Sequence, residues 1–332
     1  MSGAFTHHGG RIADACARFG GAPEDWLDLS TGINPVPWQP PPALAIDWRG
    51  LPDTQALARL EARAAGHFGV APNLCMAVPG SETALRLLAR VLDLPGLTPP
   101  LAYGTYRDAF APGAALASGE DPPPRATAIV LGNPNNPDGT VLAPARALAL
   151  LAHQEAHGGW LIVDEAFADC APDASVAALV APQRRLIVLR SFGKFFGLAG
   201  LRLGFLIAPE GVLAALRHLL GDWPVHAAAL ALGTAAYADR TWIADTRQAL
   251  PARAAALDRV LRRHGLSPEG ACPLFRLVRT PEAGRLFAML ARRRILTRPC
   301  ADHSDLLRLG LPADDAERAR LDAALAQGRA DG

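Results

Sequence analysis

Residues 186–204 read LIVLRSFGKFFGLAGLRLG, and this stretch decides the fold class. Its first four residues are apolar, which predicts a strand that is buried on both faces of a sheet. Polar side chains follow soon after that strand, at Ser191, Lys194 and Arg202. In open α/β sheets, ligands bind beyond the carboxyl ends of the strands. The polar residues after this strand are therefore candidates for a ligand-binding site.

The same pattern recurs along the chain, where short apolar runs alternate with helical patterns. Further strands are predicted at 76–78, 128–131, 160–163 and 203–207, and helices at 54–68, 81–92, 144–157 and 212–220. Fully apolar strands separated by helices are typical of a mostly parallel sheet that is covered by helices on both faces. The predicted fold class is α/β.

The length and a change of composition along the chain predict two domains. The 332 residues suffice for about two domains of roughly 150 residues each. After Pro251 the sequence becomes rich in arginine, with amphipathic helical patterns around short strands near 274–278 and 306–309. We predict a large domain over residues 36–240 and a small α+β domain formed by residues 1–35 and 241–332.

The composition excludes several classes of partner. The formal net charge is +1, so the chain offers no basic field to nucleic acid or to an anionic membrane surface. No apolar stretch approaches the roughly 18 residues of a membrane span. The five cysteines never show C-x-x-C spacing, which predicts reduced thiols and no metal site. Together with an N-terminus unlike a signal peptide, this predicts a cytoplasmic protein.

The chain has 32 arginines and a single lysine, Lys194. Arginine and lysine often replace each other on a surface, but only a lysine amine can lose its proton and attack a carbonyl carbon. The one lysine is therefore a candidate for covalent chemistry, and the alternative is an ordinary surface lysine.

Polar residues also follow other predicted strands. Gly80-Ser81-Glu82 opens a helix, where N–H groups and a hydroxyl can bind phosphate, although serine also caps helices without any ligand. Residues 132–139 read GNPNNPDG, a proline-fixed turn that presents asparagine amides. Asp164 ends a buried strand, where a carboxylate is costly unless it faces a cation. Ser191 and Arg202 suit a phosphate dianion.

Phosphate donors, a carboxylate, an amide and one reactive amine are the groups that pyridoxal 5′-phosphate (PLP) requires. With its motifs N-P-N-N-P-x-G, D-E-A-F and S-F-G-K followed by A-G-L-R-L-G, the sequence resembles the fold-type I PLP-dependent enzymes, the aspartate aminotransferase-like superfamily, over essentially its whole length. The resemblance implies the PLP-dependent transferase fold, PLP as the cofactor, and a homodimer.

The resemblance also implies roles for residues around the cofactor. Lys194 would bond to the aldehyde, and Asp164 would keep the pyridine nitrogen protonated. Asn136 would bond the ring hydroxyl oxygen, and Tyr103 would stack on the ring. The phosphate would be held by Ser81, the backbone of Glu82, Ser191 and Arg202.

Two residues depart from the pattern of the superfamily. Phe167 stands where relatives often carry a tyrosine whose hydroxyl touches the ring oxygen. Leu51 stands where many carry a tyrosine that reaches the phosphate of the neighbouring subunit. Neither replacement can make the hydroxyl contact of the tyrosine for which it stands.

The N-terminal segment narrows the resemblance. His8-Gly9-Gly10 opens a helix, and residues 28–35 read DLSTGINP, which is similar to the threonine-phosphate decarboxylases of cobalamin biosynthesis, in particular the branch of the aerobic pathways. That family implies a small phosphorylated amino acid as substrate: O-phospho-L-threonine would lose carbon dioxide to give (R)-1-aminopropan-2-yl phosphate. The substrate-binding residues of the family fall here on His8, Gly9, Gly32, Asn34, Asn136, Arg298 and Arg308.

The two C-terminal arginines match the two anions of such a substrate. We assign Arg308 to the α-carboxylate, and Arg298 with His8 to the phosphate. Because arginine is abundant in this chain, the alternative is that either one is a surface residue.

Two other functions stay open at this point. The first is histidinol-phosphate aminotransferase, or a related class I/II aminotransferase, because these relatives carry similar arginines. Whether carbon dioxide or the Cα proton leaves depends on which bond the arginines hold upright, and the sequence does not set that angle. The remote alternative is a non-catalytic regulator with the PLP fold, which the presence of Lys194 disfavours.

Overall fold

The computed structural model describes residues 5–330, without the side chains of residues 329 and 330. The strands are β1 (Leu27–Asp28), β2 (Cys75–Val78), β3 (Gly96–Thr98), β4 (Gly113–Ala115), β5 (Ala128–Gly132), β6 (Trp160–Asp164), β7 (Leu186–Ser191), β8 (Gly204–Ile207), β9 (Pro268–Glu269), β10 (Phe275–Arg279), β11 (Ile295–Leu296), β12 (Arg298–Cys300) and β13 (His303–Gly310). The α-helices are α1 (Ile12–Phe19), α2 (Thr54–Phe68), α3 (Ser81–Leu92), α4 (Thr105–Ala109), α5 (Pro144–His157), α6 (Phe192–Phe195), α7 (Glu210–Leu220), α8 (Ala227–Ala238), α9 (Arg240–Arg263), α10 (Ala283–Arg292) and α11 (Asp315–Ala330).

The chain forms two compact units. The large unit comprises Pro37–Asn136 and Val141–Asp245. The small unit comprises the described residues of Met1–Val36, Pro137–Thr140 and Thr246–Gly332. The domain limits 36–240, and 1–35 with 241–332, stay a proposal drawn from the sequence.

The large unit contains a seven-stranded sheet with the order β2-β8-β7-β6-β5-β3-β4. β8 is antiparallel to both of its neighbours, and the other pairs are parallel. The apolar residues of β5 and β7 are buried, as their continuous hydrophobic runs predict. The prediction of an α/β fold with a mostly parallel sheet is confirmed.

Local signals set the helix bounds in this unit. α2 begins after Asp53, whose carboxylate accepts from the N–H groups of Gln55 and Ala56. It ends at Gly69 in the left-handed region, which agrees with the bounds predicted from the sequence. β6 and β7 extend beyond their apolar runs to Asp164 and Ser191, because Asp164 still pairs with Leu189 and Ser191 with Gly204.

The small unit contains an antiparallel sheet with the order β12-β13-β10-β9 and a parallel pair, β1 with β11. The two strands predicted near 274–278 and 306–309 are confirmed as β10 and β13. The strand β12 was not predicted, because it contains Pro299, which lacks an N–H group. Its position at the edge of the sheet accommodates that residue.

Within residues 5–330, no helix combines the length and the apolar character needed to cross a membrane. Over the same residues, no group of three or more histidine, cysteine, aspartate or glutamate side chains is placed to hold a metal ion.

Candidate active site

Five residues meet at the carboxyl end of β7, where α3 begins. Gly80 precedes α3 with a φ of 87°, and a Cβ there would lie 2.9 Å from Nη2 of Arg202. A Cβ at Gly204 would lie 2.5 Å from the backbone nitrogen of Ser81. Gly204 is also the partner of Ser191 in the pairing of β7 with β8. The structure therefore brings together three of the residues predicted to bind phosphate.

Arg202 reaches this place through an unusual backbone conformation. Its φ of 50° and ψ of 46° lie in the left-handed region, which non-glycine residues occupy only at a cost of order 1–3 kcal/mol. The guanidinium is exposed, and its Nη1 donates to the carbonyl oxygen of Ala199 at 3.3 Å. An exposed guanidinium beside the first turn of a helix is suited to an anionic ligand.

Asp164 lies at the end of β6 and accepts two hydrogen bonds. The Tyr106 hydroxyl donates to Oδ2 at 2.9 Å, and the N–H of Ala166 donates to Oδ1 at 3.0 Å. Burial raises the pKa of the Asp164 carboxyl to about 6, although both hydrogen bonds and the positive charge of Lys194 act in the opposite direction. The carboxylate is therefore poised to accept a further cationic partner.

Lys194 lies in α6, one short turn beyond β7. Its Nζ is 6.0 Å from the ring centroid of Phe167, a cation–π contact at the outer limit of that interaction. Phe167 stands where relatives often carry a tyrosine. Its ring is buried, and the face of that ring points towards the lysine amine.

Two asparagines of the turn after β5 hydrogen-bond to backbone groups of other segments. Asn133 Nδ2 donates to the carbonyl oxygen of Ala174 at 2.6 Å, and its Oδ1 accepts from the N–H of Leu142 at 3.0 Å. Asn135 Nδ2 donates to the carbonyl oxygen of Leu101 at 2.9 Å. Asn136 is half-buried at the end of this turn. Asn133 and Asn135 thus shape the loop, and the ligand contact of Asn136 stays a prediction from the motif.

Tyr103 is held through its hydroxyl, which donates to Oε2 of Glu82. Thr105 Oγ1 donates to Oε1 of the same carboxylate at 3.2 Å. The ring of Tyr103 meets that of Tyr106 edge-on, with centroids 5.6 Å apart. The sequence predicted a backbone role for Glu82, and the structure adds contacts of its side chain.

A buried charge cluster lies beside the strand ends and was not predicted. Arg190 donates to Glu165 Oε2 at 2.9 Å and also to Oδ1 of Asp169. His67 Nε2 lies 2.9 Å from that same Oδ1. Because side chains alternate along a strand, Arg190 in β7 points away from its neighbour Ser191. The sequence offered one signal, an acidic and a basic residue directly beside the polar strand ends.

In the small unit, the two predicted substrate arginines lie directly opposite each other, since Arg298 pairs with Arg308 between β12 and β13. Burial, and after it the like charge of Arg298, lower the pKa of Arg308 to about 9. Arg308 Nη2 donates to the carbonyl oxygen of Ser30 at 2.7 Å. Two neighbouring cations repel each other, so an anion bound between them would be stabilised.

The N-terminal residues predicted to bind substrate lie around the same arginines. Arg298 Nη2 donates to the carbonyl oxygen of His7 at 2.8 Å, next to the exposed His8. A Cβ at Gly9 would lie 2.3 Å from the carbonyl oxygen of Ser30, so the backbone is closely packed there. The structure therefore brings His8 and Gly9 to the arginine pair.

Gly32 and Asn34 belong to the turn after β1. Both are buried, and Asn34 Oδ1 accepts from the N–H of Val36 at 3.1 Å, so that this amide shapes its own turn. The sequence did not single out Ser30, whose Oγ donates to Asp28 Oδ1 at 2.5 Å and accepts from the N–H of Gly10 at 2.7 Å.

Residues 113–321 match the family model of aminotransferase class I and II. The chain belongs to the class I and II aminotransferase family. Within that family, the threonine-phosphate decarboxylase of Sinorhizobium sp is 43% identical to this chain, covering 96% of it and 97% of that protein. The threonine-phosphate decarboxylase of Pseudomonas aeruginosa is 41% identical and covers 97% of each chain. The resemblance stated from the motifs is confirmed.

Other members of the family are less similar. Histidinol-phosphate aminotransferase 2 of Rhizobium meliloti is 31% identical and covers 85% of each chain. The solved structure of L-threonine-O-3-phosphate decarboxylase from Porphyromonas gingivalis is 19% identical, superimposes with a TM-score of 0.73, and covers 91% of this chain and 98% of that one. This similarity shows that the chain has the predicted fold.

Proposed function

We propose that this protein is a PLP-dependent threonine-phosphate decarboxylase that converts O-phospho-L-threonine to (R)-1-aminopropan-2-yl phosphate for the biosynthesis of cobalamin. The similarity to threonine-phosphate decarboxylases over nearly the whole of both chains carries this proposal. Histidinol-phosphate aminotransferases match at lower identity, which leaves transamination as the alternative to be tested.

The residues of the large unit fit the cofactor. A Cβ at Gly80 would lie against the Arg202 guanidinium, and a Cβ at Gly204 would lie against the backbone nitrogen of Ser81. The two glycines therefore leave a cradle with N–H groups, hydroxyls and a guanidinium for a phosphate. Asp164 supplies a buried carboxylate for a protonated ring nitrogen. The only lysine of the chain follows in α6. The whole set of PLP-binding residues would be Ser81, Glu82 through its backbone, Tyr103, Asn136, Asp164, Ser191, Lys194 and Arg202.

When bound, PLP supplies an electron sink for the bond that breaks at the Cα of the substrate. The Lys194 amine would hold the aldehyde carbon of PLP, and it would supply the proton that Cα takes up in place of the lost carboxylate. The Asp164 carboxylate would keep a proton on the ring nitrogen, and the Asn136 amide would donate to the ring oxygen. Tyr103 would cover one face of the ring and exclude water from it.

The small unit supplies the groups for the substrate anions. Arg308 binds the α-carboxylate, and Arg298 with His8 binds the phosphate. Because Arg308 is held by the Ser30 carbonyl oxygen, its guanidinium has a fixed direction and orients the carboxylate. Gly9, Gly32 and Asn34 line the same N-terminal segment and complete the proposed substrate site.

Measured products separate decarboxylation from transamination. The purified protein is incubated with O-phospho-L-threonine, and carbon dioxide and (R)-1-aminopropan-2-yl phosphate are quantified. A parallel reaction contains histidinol phosphate and a 2-oxo acid, and keto-acid formation is followed. We expect the first reaction to dominate. Faster transamination of histidinol phosphate would contradict the proposal, and a protein whose yellow absorbance no amino acid changes would point to a non-catalytic role.

We expect the affinity for PLP to depend on the ionisation of Asp164. The pKa of this carboxyl is raised to about 6, so the carboxylate is present above that pH and is lost below it. Once protonated, it no longer attracts a protonated ring nitrogen. The test is to titrate wild type and Asp164→Asn with PLP at several pH values on both sides of pH 6. The wild type should bind PLP more tightly than the variant above pH 6, and this advantage should disappear as the pH decreases.

Tyr106 provides the second arm of this test. Its hydrogen bond lowers the pKa of Asp164, so Tyr106→Phe should move the loss of affinity to higher pH. A ratio that stays constant across the pH range, or a Tyr106→Phe curve that coincides with wild type, would contradict the assignment of Asp164.

We also propose that two copies of the chain pair. Trp48 and Leu51, in the segment before Pro52, expose 73% and 70% of their surfaces, and large apolar side chains this exposed often mark an interface. Sedimentation equilibrium should give twice the mass of 34.9 kDa, and Trp48→Asp should lower the dimer fraction together with activity. A fully active monomer would contradict this proposal. The cytoplasmic location stays a prediction.

A further inference from the structure

We propose that the Glu82 side chain is a positioning residue, whose carboxylate fixes the Tyr103 ring over the cofactor. This inference rests on the proposed function, because it concerns the aromatic side chain that would cover PLP. It assigns to Glu82 a role separate from the backbone contact to phosphate.

The carboxylate of Glu82 joins two segments of the large unit. Glu82 lies in the first turn of α3, whereas Tyr103 precedes α4 and Thr105 begins it. The hydroxyl of Tyr103 donates to Oε2, and the hydroxyl of Thr105 donates to Oε1. Arg86 donates to Oε1 through Nε at 3.1 Å and Nη2 at 3.0 Å. One carboxylate thus accepts from three side chains.

A negative charge on Glu82 is unexpected beside the proposed phosphate site. A carboxylate in the first turn of a helix is ordinarily stabilising, but here it adjoins the cradle proposed for a phosphate dianion, which it would repel. Burial raises the pKa of Glu82, but the hydrogen bonds from Tyr103, Arg86 and Thr105 outweigh burial and lower it overall. The carboxylate is therefore ionised, and Arg86 compensates its charge.

Tyr103 needs an anchor because it lies in a loop. Residues 101–103 have no helix or strand, and the ring is only half-buried. Its edge contacts Tyr106, whose hydroxyl donates to Asp164 at 2.9 Å. Without the hydrogen bond to Glu82, the Tyr103 ring would no longer be held at one angle to the PLP ring. Its contact with the Tyr106 ring would also be weakened.

A helix-capping role and a positioning role predict different results. If Glu82 only favours the helix N-terminus, Tyr103→Phe has no effect, since its ring is unchanged. If Glu82 positions Tyr103, then Glu82→Ala and Tyr103→Phe remove the same hydrogen bond and give the same defect. Their double variant is then no worse than either single variant, because coupled residues are not additive.

The test measures the affinity of the purified apoprotein for PLP by absorbance titration, together with the temperature of unfolding. We expect Glu82→Ala and Tyr103→Phe each to raise the dissociation constant of PLP by roughly three- to tenfold, which is the effect expected from losing one aromatic contact. Glu82→Gln keeps an acceptor oxygen for the hydroxyl and should recover part of this loss. Glu210→Ala is the matched control, because Glu210 is an exposed acid in the first turn of α7.

Three outcomes would overturn the inference: unchanged affinity in Glu82→Ala, tighter binding in Glu82→Ala, or additive losses in the double variant. A lower unfolding temperature with unchanged PLP affinity would likewise show that Glu82 only stabilises the fold. Failure of the proposed function looks different, because the wild-type protein would then not bind PLP at all.

Discussion

Lys194→Arg should reduce turnover of O-phospho-L-threonine to background while leaving the fold intact. The substitution keeps the positive charge and thus its effect on the pKa of Asp164. A guanidinium offers no free amine lone pair to an aldehyde and therefore cannot bond to the cofactor. The measurement is carbon dioxide release, with the unfolding temperature as the check on folding.

Because the chain has a single lysine, only one lysine side chain can bond to the cofactor. Borohydride reduction of the protein with bound PLP should attach the cofactor to one internal peptide, the one that contains position 194. A variant that combines Lys194→Arg with Arg90→Lys returns a lysine to an exposed position on α3 and should stay inactive. Substantial turnover in Lys194→Arg, or reductive attachment at another position, would contradict the assignment.

The parts of the fold that the sequence predicted are those with local causes. The bounds of α2 and α5 agree with the prediction because the signals lie within a few residues: Asp53 before α2, Pro144 at the start of α5, and Gly69 and Gly158 just after them. Continuous apolar runs likewise predicted β5 to β8. The strands β3 and β4 have three residues each, too few for a periodic pattern, and were not predicted.

In the candidate site, too, the sequence predicted the features with local causes and missed those that depend on tertiary packing. The motifs placed Asp164, Ser191 and Lys194 at strand ends, and a sheet topology brings strand ends together. The contact of Tyr106 with Asp164 joins residues 58 positions apart, and no periodicity or spacing reports such a contact. The same holds for Arg190 with Asp169. These contacts depend on tertiary packing, which a pattern within one segment does not contain.

Phe167 shows what a departure from a family pattern can mean. The sequence indicated only that a hydroxyl is missing. The ring is buried, and its face lies 6.0 Å from the Lys194 amine. This position therefore still contacts Lys194 through a ring face, even though it cannot donate a hydrogen bond.

Arg298→Ala should impair the reaction with O-phospho-L-threonine far more than the weak reaction with threonine. The proposed phosphate contact of Arg298 is made only by the phosphorylated substrate, and a charge-assisted hydrogen bond is worth about 1.5–3 kcal/mol, or roughly ten- to a hundredfold in binding. Initial rates with both substrates test this. Arg298→Lys is the matched variant, because it keeps the charge but not the two-pronged geometry, and should fall in between.

The electrostatics of the arginine pair add a pH signature to this variant. The positive charge of Arg298 is one cause of the lowered pKa of Arg308, after burial, so removing it should raise that pKa above its present value of about 9. Arg308 binds a carboxylate only when charged, which holds below its pKa. The alkaline loss of substrate affinity should therefore begin near pH 9 in the wild type and move to higher pH in Arg298→Ala. Equal losses with both substrates and no shift of the alkaline limb would mean that the phosphate binds at another residue.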